Sequence, residues 1–202
     1  MFKNIIFDLS EVIISGYVGA GVGPLMQKKY GIPIKEFKER KREKNELFLA
    51  LMRGNLKEEE YGKEVLEGMK WNITVDDFKT TIREYLNQPV EGTMEIVKQL
   101  KGKYQLILLS DHVREWMSYI EARNQDIDIF DKKIFSYEIG MLKSDKQTFK
   151  KVLNQMQIVA EETLFIDDNE ENIKRAQEVG IHGIVFQNAE QLRKDLCLLN
   201  II

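Results

Sequence analysis

Short apolar, β-branched runs that stop on an acidic or hydroxyl side chain constrain this chain more than any other feature. Asn4-Ile5-Ile6-Phe7 stops at Asp8, Gln105-Leu106-Ile107-Leu108-Leu109 at Ser110-Asp111, and Thr163-Leu164-Phe165-Ile166 at Asp167-Asp168. Runs of this length, followed by polar or glycine-containing sequence, read as buried strands. A single Asp after a strand is ordinarily a helix cap or a turn residue. Three such exits in one chain point elsewhere, because open parallel sheets bind ligands just beyond the carboxyl ends of their strands. Carboxylates gathered at one sheet edge repel each other and call for a cation; oxygen ligands with no His or Cys nearby in sequence suit Mg²⁺.

With 202 residues, 43% hydrophobic and 31% charged, the chain supports one good core and a small second one. A formal net charge of −3 gives no global attraction to nucleic acid or to an anionic membrane, so neither is expected as a partner. No segment reaches the roughly 20 apolar residues of a membrane span. The N-terminal apolar run is broken at Asp8, too early for a signal peptide. The lone cysteine, Cys197, excludes an internal disulfide and fits a reducing compartment, so a cytoplasmic location is expected. Its setting, Leu196-Cys197-Leu198-Leu199, reads as a packed thiol.

The texture changes twice along the chain. Gly16, Gly19, Gly21 and Gly23 follow the first strand, but no Lys ends the stretch in phosphate-loop fashion, so it reads as a hinge or connector. From Pro24 to Leu86 the pattern is helical, over Ile34 to Met52, Leu56 to Met69 and Val75 to Leu86. Lys38, Arg40, Lys41, Arg42 and Lys44 alternate with Glu36, Glu39 and Glu43, the mark of a solvated helix face. Tyr61 and Trp71 read as core of this unit. After Pro89 helix and strand alternate: helices over Thr93 to Leu100, Val113 to Arg123, Asp145 to Met156 and Glu170 to Val179, strands over Tyr104 to Leu109, Lys133 to Ser136, Thr163 to Ile166 and Gly183 to Phe186, and a final helix. Right-handed crossovers turn such alternation into a parallel sheet with helices on both faces. The expected organisation is an α/β core from residues 1–14 and 89–202, with an all-helical cap over residues 15–88 lying above the strand ends.

These residues resemble the haloacid dehalogenase superfamily, in its subgroup with a helical cap inserted after the first motif, over nearly the whole chain. The resemblance rests on Phe7-Asp8-Leu9-Ser10-Glu11-Val12, Leu108-Leu109-Ser110-Asp111, Gly140-Met141-Leu142-Lys143-Ser144-Asp145 and Phe165-Ile166-Asp167-Asp168-Asn169-Glu170-Glu171-Asn172-Ile173, in that order. It implies a Rossmann-like core and a Mg²⁺-dependent hydrolase of small phosphorylated metabolites. Asp8 would be the nucleophile that forms an aspartyl-phosphate. The metal would be held by Asp8, the Ser10 backbone carbonyl and Asp168, with Asp167 inside or just outside that set. Ser110 would donate to a phosphoryl oxygen, and Lys143 would supply fixed positive charge.

The departure from the family pattern is Ser10, where phosphatases of the superfamily usually carry the Asp that protonates the leaving oxygen. A hydroxyl is no comparable acid, and losing such a group typically costs about 10²–10⁴-fold in rate. Glu11, where a glycine is common, is the nearest spare carboxyl. Three functional readings stay open: a phosphohydrolase that is slow or restricted to good leaving groups, a catalytically silent relative that binds a phosphorylated ligand or a protein partner, and dehalogenase, phosphonate-cleaving or mutase chemistry. Asp111 is open between a site role and a cap on the following helix, His112 is equally unassigned, and His182 reads as structural.

Overall fold

The computed structural model describes residues 1–15, 18–33, 45–86 and 88–202. Phe37, the basic run from Lys38 to Lys44, and the connector positions Gly16 and Asn87 lie outside the described residues.

Five parallel strands form the sheet: β1 (Asn4–Phe7), β4 (Gln105–Ser110), β5 (Lys132–Phe135), β6 (Thr163–Asp167) and β7 (His182–Val185), in the order β5-β4-β1-β6-β7. Helices cover both faces, which is why the central strands read as unbroken apolar runs rather than as alternating ones. Ile5 and Phe7 of β1 face a core shared with Ile96 and Leu100 of α5 (Thr93–Leu100), Met117 and Ile120 of α6 (Arg114–Glu121), and Leu192 and Leu196 of α10 (Ala189–Leu198). Ile6 points the other way, into a second core with Phe165, with Phe149 and Val152 of α8 (Lys146–Met156), and with Ile173 and Ala176 of α9 (Glu170–Gln177). Register fixes the working edge. Phe7 lies opposite Leu108 on one side and Ile166 on the other, so the chain leaves all three central strands at nearly the same level, at Asp8, Ser110 and Asp167.

A two-stranded antiparallel pair, β2 (Ile14–Ser15) with β3 (Gln88–Pro89), brackets the helical stretch. Two residues per strand, one of them Pro89, leave too little pattern to read from sequence. Between them run α1 (Val18–Tyr30), α2 (Asn45–Met52), α3 (Glu58–Met69) and α4 (Val75–Tyr85), with α4 packed on both α1 and α3. Trp71 and Tyr61 belong to the packed interior of these helices, Trp71 buried and Tyr61 half-buried between Phe48 and Phe78. A single-turn helix, α7 (Ser136–Ile139), follows β5 directly. Among the described residues no helix is long and apolar enough to cross a membrane.

Two expectations are corrected. The glycine stretch is not a connector beyond residue 17: Val18 to Tyr30 is helical, through Gly19, Gly21, Gly23 and Pro24. Val22 and Met26, one turn apart, are buried in the main core, and that burial outweighs the poor helix propensity of the glycines. Cys197 is exposed rather than packed. Leu192 and Leu196, four apart, take the inward positions of α10, so Cys197 and the 80%-exposed Leu198 turn to solvent.

On β7, a Cβ at Gly183 would come 2.5 Å from the Cγ2 of Ile173, a β-branched side chain with little rotamer freedom on a helix. Gly183→Ala is expected to destabilise the fold by about 1–3 kcal/mol. The check is urea unfolding, in which an unchanged midpoint would show that α9 moves away from the sheet freely.

Candidate active site

The site is assembled where β1, β4 and β6 end. After Phe7 the backbone N–H of Asp8 still donates to the Ile166 carbonyl at 2.9 Å, so Asp8 is fixed by the ladder itself. The chain then closes a tight turn in which Ile13 and Ile14 N–H both donate to the Leu9 carbonyl, at 2.9 and 3.0 Å, and Glu11 N–H to the Ile14 carbonyl at 2.7 Å. Glu11 takes φ +61°, the left-handed region that glycine enters at least cost. Ser10 is half-buried in this turn and bridges to Ile14 through the backbone.

Lys143 is the hub. Its ammonium lies 2.7 Å from Asp8 Oδ1 and 2.7 Å from Asp167 Oδ2, and the residue is only 3% exposed. Lys143 stands on a loop between α7 and α8, so its backbone needs anchors. Thr148 Oγ1 and the Asp145 N–H donate to the Leu142 carbonyl at 2.6 and 3.0 Å, and Asp145 caps α8 by accepting from Gln147 N–H at 2.9 Å. The Lys143 N–H itself donates to both carboxylate oxygens of Asp111, at 3.1 and 3.0 Å. Asp111 is therefore no helix cap: Val113 occupies that position of α6, without a side-chain bond.

Asp167 is fully buried and held by three residues. Its Oδ1 accepts from Asn169 N–H at 2.8 Å and Asn172 Nδ2 at 3.1 Å, while Oδ2 accepts from Lys143. Asp168, next along the chain, is exposed. Asp8, Asp167 and Asp168 each offer an oxygen within 4.8 Å of the others. At the end of β4 the Ser110 hydroxyl is buried with no hydrogen-bond partner among the described residues. A native fold rarely leaves such a group alone unless something absent from the protein itself satisfies it.

The electrostatics follow from crowding. Burial pushes the Asp8 carboxyl up to about 7, against the pull of Lys143 and with the push of Asp167 and Asp168. Burial likewise raises Asp111; Asp168, exposed overall but with its carboxyl partly desolvated against the cluster, is raised by that desolvation and by the charges of Asp167 and Glu11. Burial opposes the charge on Lys143, but Asp8, Asp167 and Asp111 together hold its pKa above the ordinary lysine range. His112, buried edge-on against Trp116, is pushed down to about 4 by burial and is neutral at physiological pH. His182 is exposed and packs edge-on against Phe2, remote from this chemistry.

The structure thus brings Asp8, Lys143, Asp167 and Asp168 into one cluster, with Ser110 at the same sheet edge and Ser10 in the adjoining turn. Sequence reasoning assigned no role to Asn172 or to the Asp111 tether. For Asn172 a signal existed: an amide three residues into α9, beside inward-facing Ile173, is unusual on a buried helix face and needs a buried partner.

A doubly covered parallel sheet with acidic residues at its carboxyl edge is a Rossmann-like α/β fold with its polar cluster where such sheets bind ligands. The model of the haloacid dehalogenase-like hydrolase family matches residues 2–180, and the chain belongs to that family. It is 24% identical over 205 residues to a D-ribitol-5-phosphate phosphatase of Bacteroides thetaiotaomicron, covering 98% of each protein. A flavin mononucleotide hydrolase of Arabidopsis thaliana is 25% identical over 85% of this chain and 69% of its own length. Among solved structures, a haloacid dehalogenase family enzyme of Bacteroides thetaiotaomicron in complex with magnesium and inorganic phosphate superposes with a TM-score of 0.79. It is 26% identical, over 93% of this chain and 96% of that one.

Because the folded-state pKa of Asp8 is raised, its carboxyl favours folding less as it ionises. Below about pH 4 it is protonated in both states; between about 4 and 7 the unfolded chain releases the proton first, and the folded state loses stability relative to it. Asp8→Asn, which never ionises, should therefore gain in melting temperature relative to the parent as pH rises from 5 to 8, in chelator-treated protein. A difference that is flat with pH would show that Asp8 ionises in the folded protein as easily as in the unfolded chain.

Proposed function

We propose that this protein hydrolyses small phosphorylated metabolites through an aspartyl-phosphate on Asp8, beneath a helical cap formed by residues 15–88. The observation that carries the reading is the buried Asp8–Lys143–Asp167 chain beside an orphaned Ser110 hydroxyl. In this mechanism Asp8 attacks phosphorus, the bond to the leaving oxygen breaks, and water then attacks the aspartyl-phosphate, releasing phosphate and restoring Asp8. Lys143 and the Leu9 N–H both donate to Oδ1 of Asp8, at 2.7 Å each, which fixes the orientation of the carboxylate toward the site. Ser110 donates to a phosphoryl oxygen, and Lys143 offsets charge on the transferring group.

Three carboxylate oxygens within 4.8 Å, with one lysine against them, fit a hard divalent cation bound through oxygen, and Mg²⁺ is the reading they support. Asp8, Asp168 and the Ser10 carbonyl would hold it. Asp167 is already saturated by three residues, which supports its standing behind those ligands. When bound, the cation supplies charge neutralisation for the incoming phosphate. The magnesium and phosphate complex of the related enzyme, and the sugar-alcohol phosphate in the name of the 24%-identical relative, support both the metal and a small phosphorylated substrate.

Hydrolysis of a panel of phosphorylated metabolites, with Mg²⁺ and with chelator, tests this reading. We expect Mg²⁺-dependent turnover that Asp8→Asn abolishes with the fold intact. Activity within a few-fold of the parent in that variant would place the nucleophile elsewhere.

With Ser10 at the usual acid position, leaving groups that need little protonation should turn over best, acyl and anomeric phosphates among them. Ser10→Asp is expected to raise turnover of alkyl phosphates by about tenfold or more and that of acyl or aryl phosphates far less. No gain in either class, with tight Mg²⁺-dependent phosphate binding, would favour the silent, ligand-binding reading.

A further inference from the structure

Outside the site, one buried carboxylate joins the helical stretch to the sheet core. Glu58, the first residue of α3, is 2% exposed. Its Oε1 accepts from Arg83 Nη1 at 2.8 Å and from Trp116 Nε1 at 2.7 Å, and its Oε2 accepts from Arg83 Nη2 at 2.6 Å. Arg83 stands on α4 and so travels with α3. Trp116 stands on α6 of the core, 3% exposed, and packs against Phe48 of α2. A bidentate arginine removes most of the penalty of burying Glu58, and two bonds cross from this residue to α6 of the core: the indole N–H of Trp116 onto its carboxylate, and its own backbone N–H onto Glu115 Oε1 at 3.4 Å, the longer and weaker of the two.

That crossing lands next to the phosphate-facing station. Trp116 lies six residues after Ser110, and its ring meets His112 edge-on, 6.2 Å between centroids. His112 N–H donates to Ser136 Oγ at 3.0 Å, and Ser136 Oγ lies 2.6 Å from the Met52 carbonyl at the end of α2. Two separate bridges from the helical unit therefore converge on residues 112–116, directly after Ser110 and Asp111, and Asp111 in turn holds Lys143.

We propose that Glu58, with Arg83 and Trp116, is a latch that seats the helical unit on the core and sets the Ser110–Asp111 station, so that Glu58 and Trp116 are positioning residues for phosphate binding. This rests on the reading of residues 15–88 as a cap. Opening breaks the Trp116 bond and the longer backbone bond to Glu115 while the Glu58–Arg83 pair moves as one body, which makes the latch reversible.

The test is hydrogen–deuterium exchange on the full chain, with titration of inorganic phosphate in Mg²⁺, for the parent, Trp116→Phe, Glu58→Gln and the double variant. Trp116→Phe removes the N–H together with three heavy atoms of a buried ring, so the exchange of β1, β4 and β6 is the control that the core stays packed, and the variant reports even if Glu58→Gln fails to fold. Loss of one charge-assisted bond should speed exchange in α3 and α4 by about tenfold or more, leave β1, β4 and β6 unchanged, and weaken phosphate binding several-fold. The double variant should be no worse than the more affected single one. Unchanged exchange in α3 and α4 in Trp116→Phe overturns the latch; faster exchange with unaltered phosphate affinity overturns its coupling to the site; additive effects overturn both. Absence of phosphate binding in the parent would refute the phosphatase reading and the coupling with it, while the exchange data still decide the latch.

Discussion

One ammonium group, that of Lys143, keeps the working edge of this sheet together. Asp8 and Asp167 are both buried, and each lies 2.7 Å from the same nitrogen. Two buried carboxylates without that cation would each carry a desolvation penalty of several kcal/mol and would repel one another besides. Much of the local structure exists to put Lys143 there. Asp111 fixes its backbone from the end of β4, Thr148 and Asp145 fix the residue before it, and Asn169 and Asn172 hold Asp167 where the ammonium can reach it. One lysine does not neutralise the cluster, since Asp111 and Asp168 also crowd it. Burial, with the push of Asp167 and Asp168, lifts Asp8 to about 7 against the pull of Lys143, and the negative charge that one lysine leaves unopposed is what suits the cluster to a hard cation.

The sheet makes this arrangement inexpensive. Parallel pairing in register brings residues more than a hundred and fifty positions apart, Asp8 and Asp167, to the same level with no loop spanning them. The polar groups that sit at strand ends inherit the rigidity of a core whose central side chains are fully buried on both faces. Lys143 does not sit on a strand, and side chains supply the anchoring that a strand would have given: Asp111 on its backbone N–H, Asp8 and Asp167 on its ammonium.

That difference explains what was legible. Strand exits announce themselves, because a strand buried on both faces must be a continuous apolar run and its first polar residue marks the edge. Asp8, Ser110, Asp167 and Asp168 could be read that way, and the βα alternation gave the architecture. Lys143 was recognisable only through its family pattern, since an isolated loop lysine carries no signal of its own. Asp111 as a tether, Asn172 as a donor and Glu58 as a buried pair depend on partners from distant segments, which no local periodicity encodes. The glycine-rich start of α1 misled for the opposite reason: its local propensity is plain, but two buried side chains, Val22 and Met26, overrule it. Cys197 misled because an apolar neighbourhood in sequence becomes two faces once wound into a helix.

Ser10 follows from the same charge balance. The turn after β1 already holds Glu11 in the left-handed region, and the charge of Glu11 is felt at Asp168. A carboxyl at position 10 would add one more acid to a cluster in which a single lysine opposes several, and Asp8 would be pushed further from ionisation. A hydroxyl there relieves that repulsion and keeps Asp8 closer to its carboxylate form, which on the proposed mechanism is the form that attacks, at the expense of proton delivery to the leaving group. The charge released by this substitution and the acid lost with it are two consequences of one atom-level change. On the mechanism proposed above, such a chain would favour substrates whose leaving oxygen is already weakly basic, because for them the relief of repulsion at Asp8 counts for more than the missing proton.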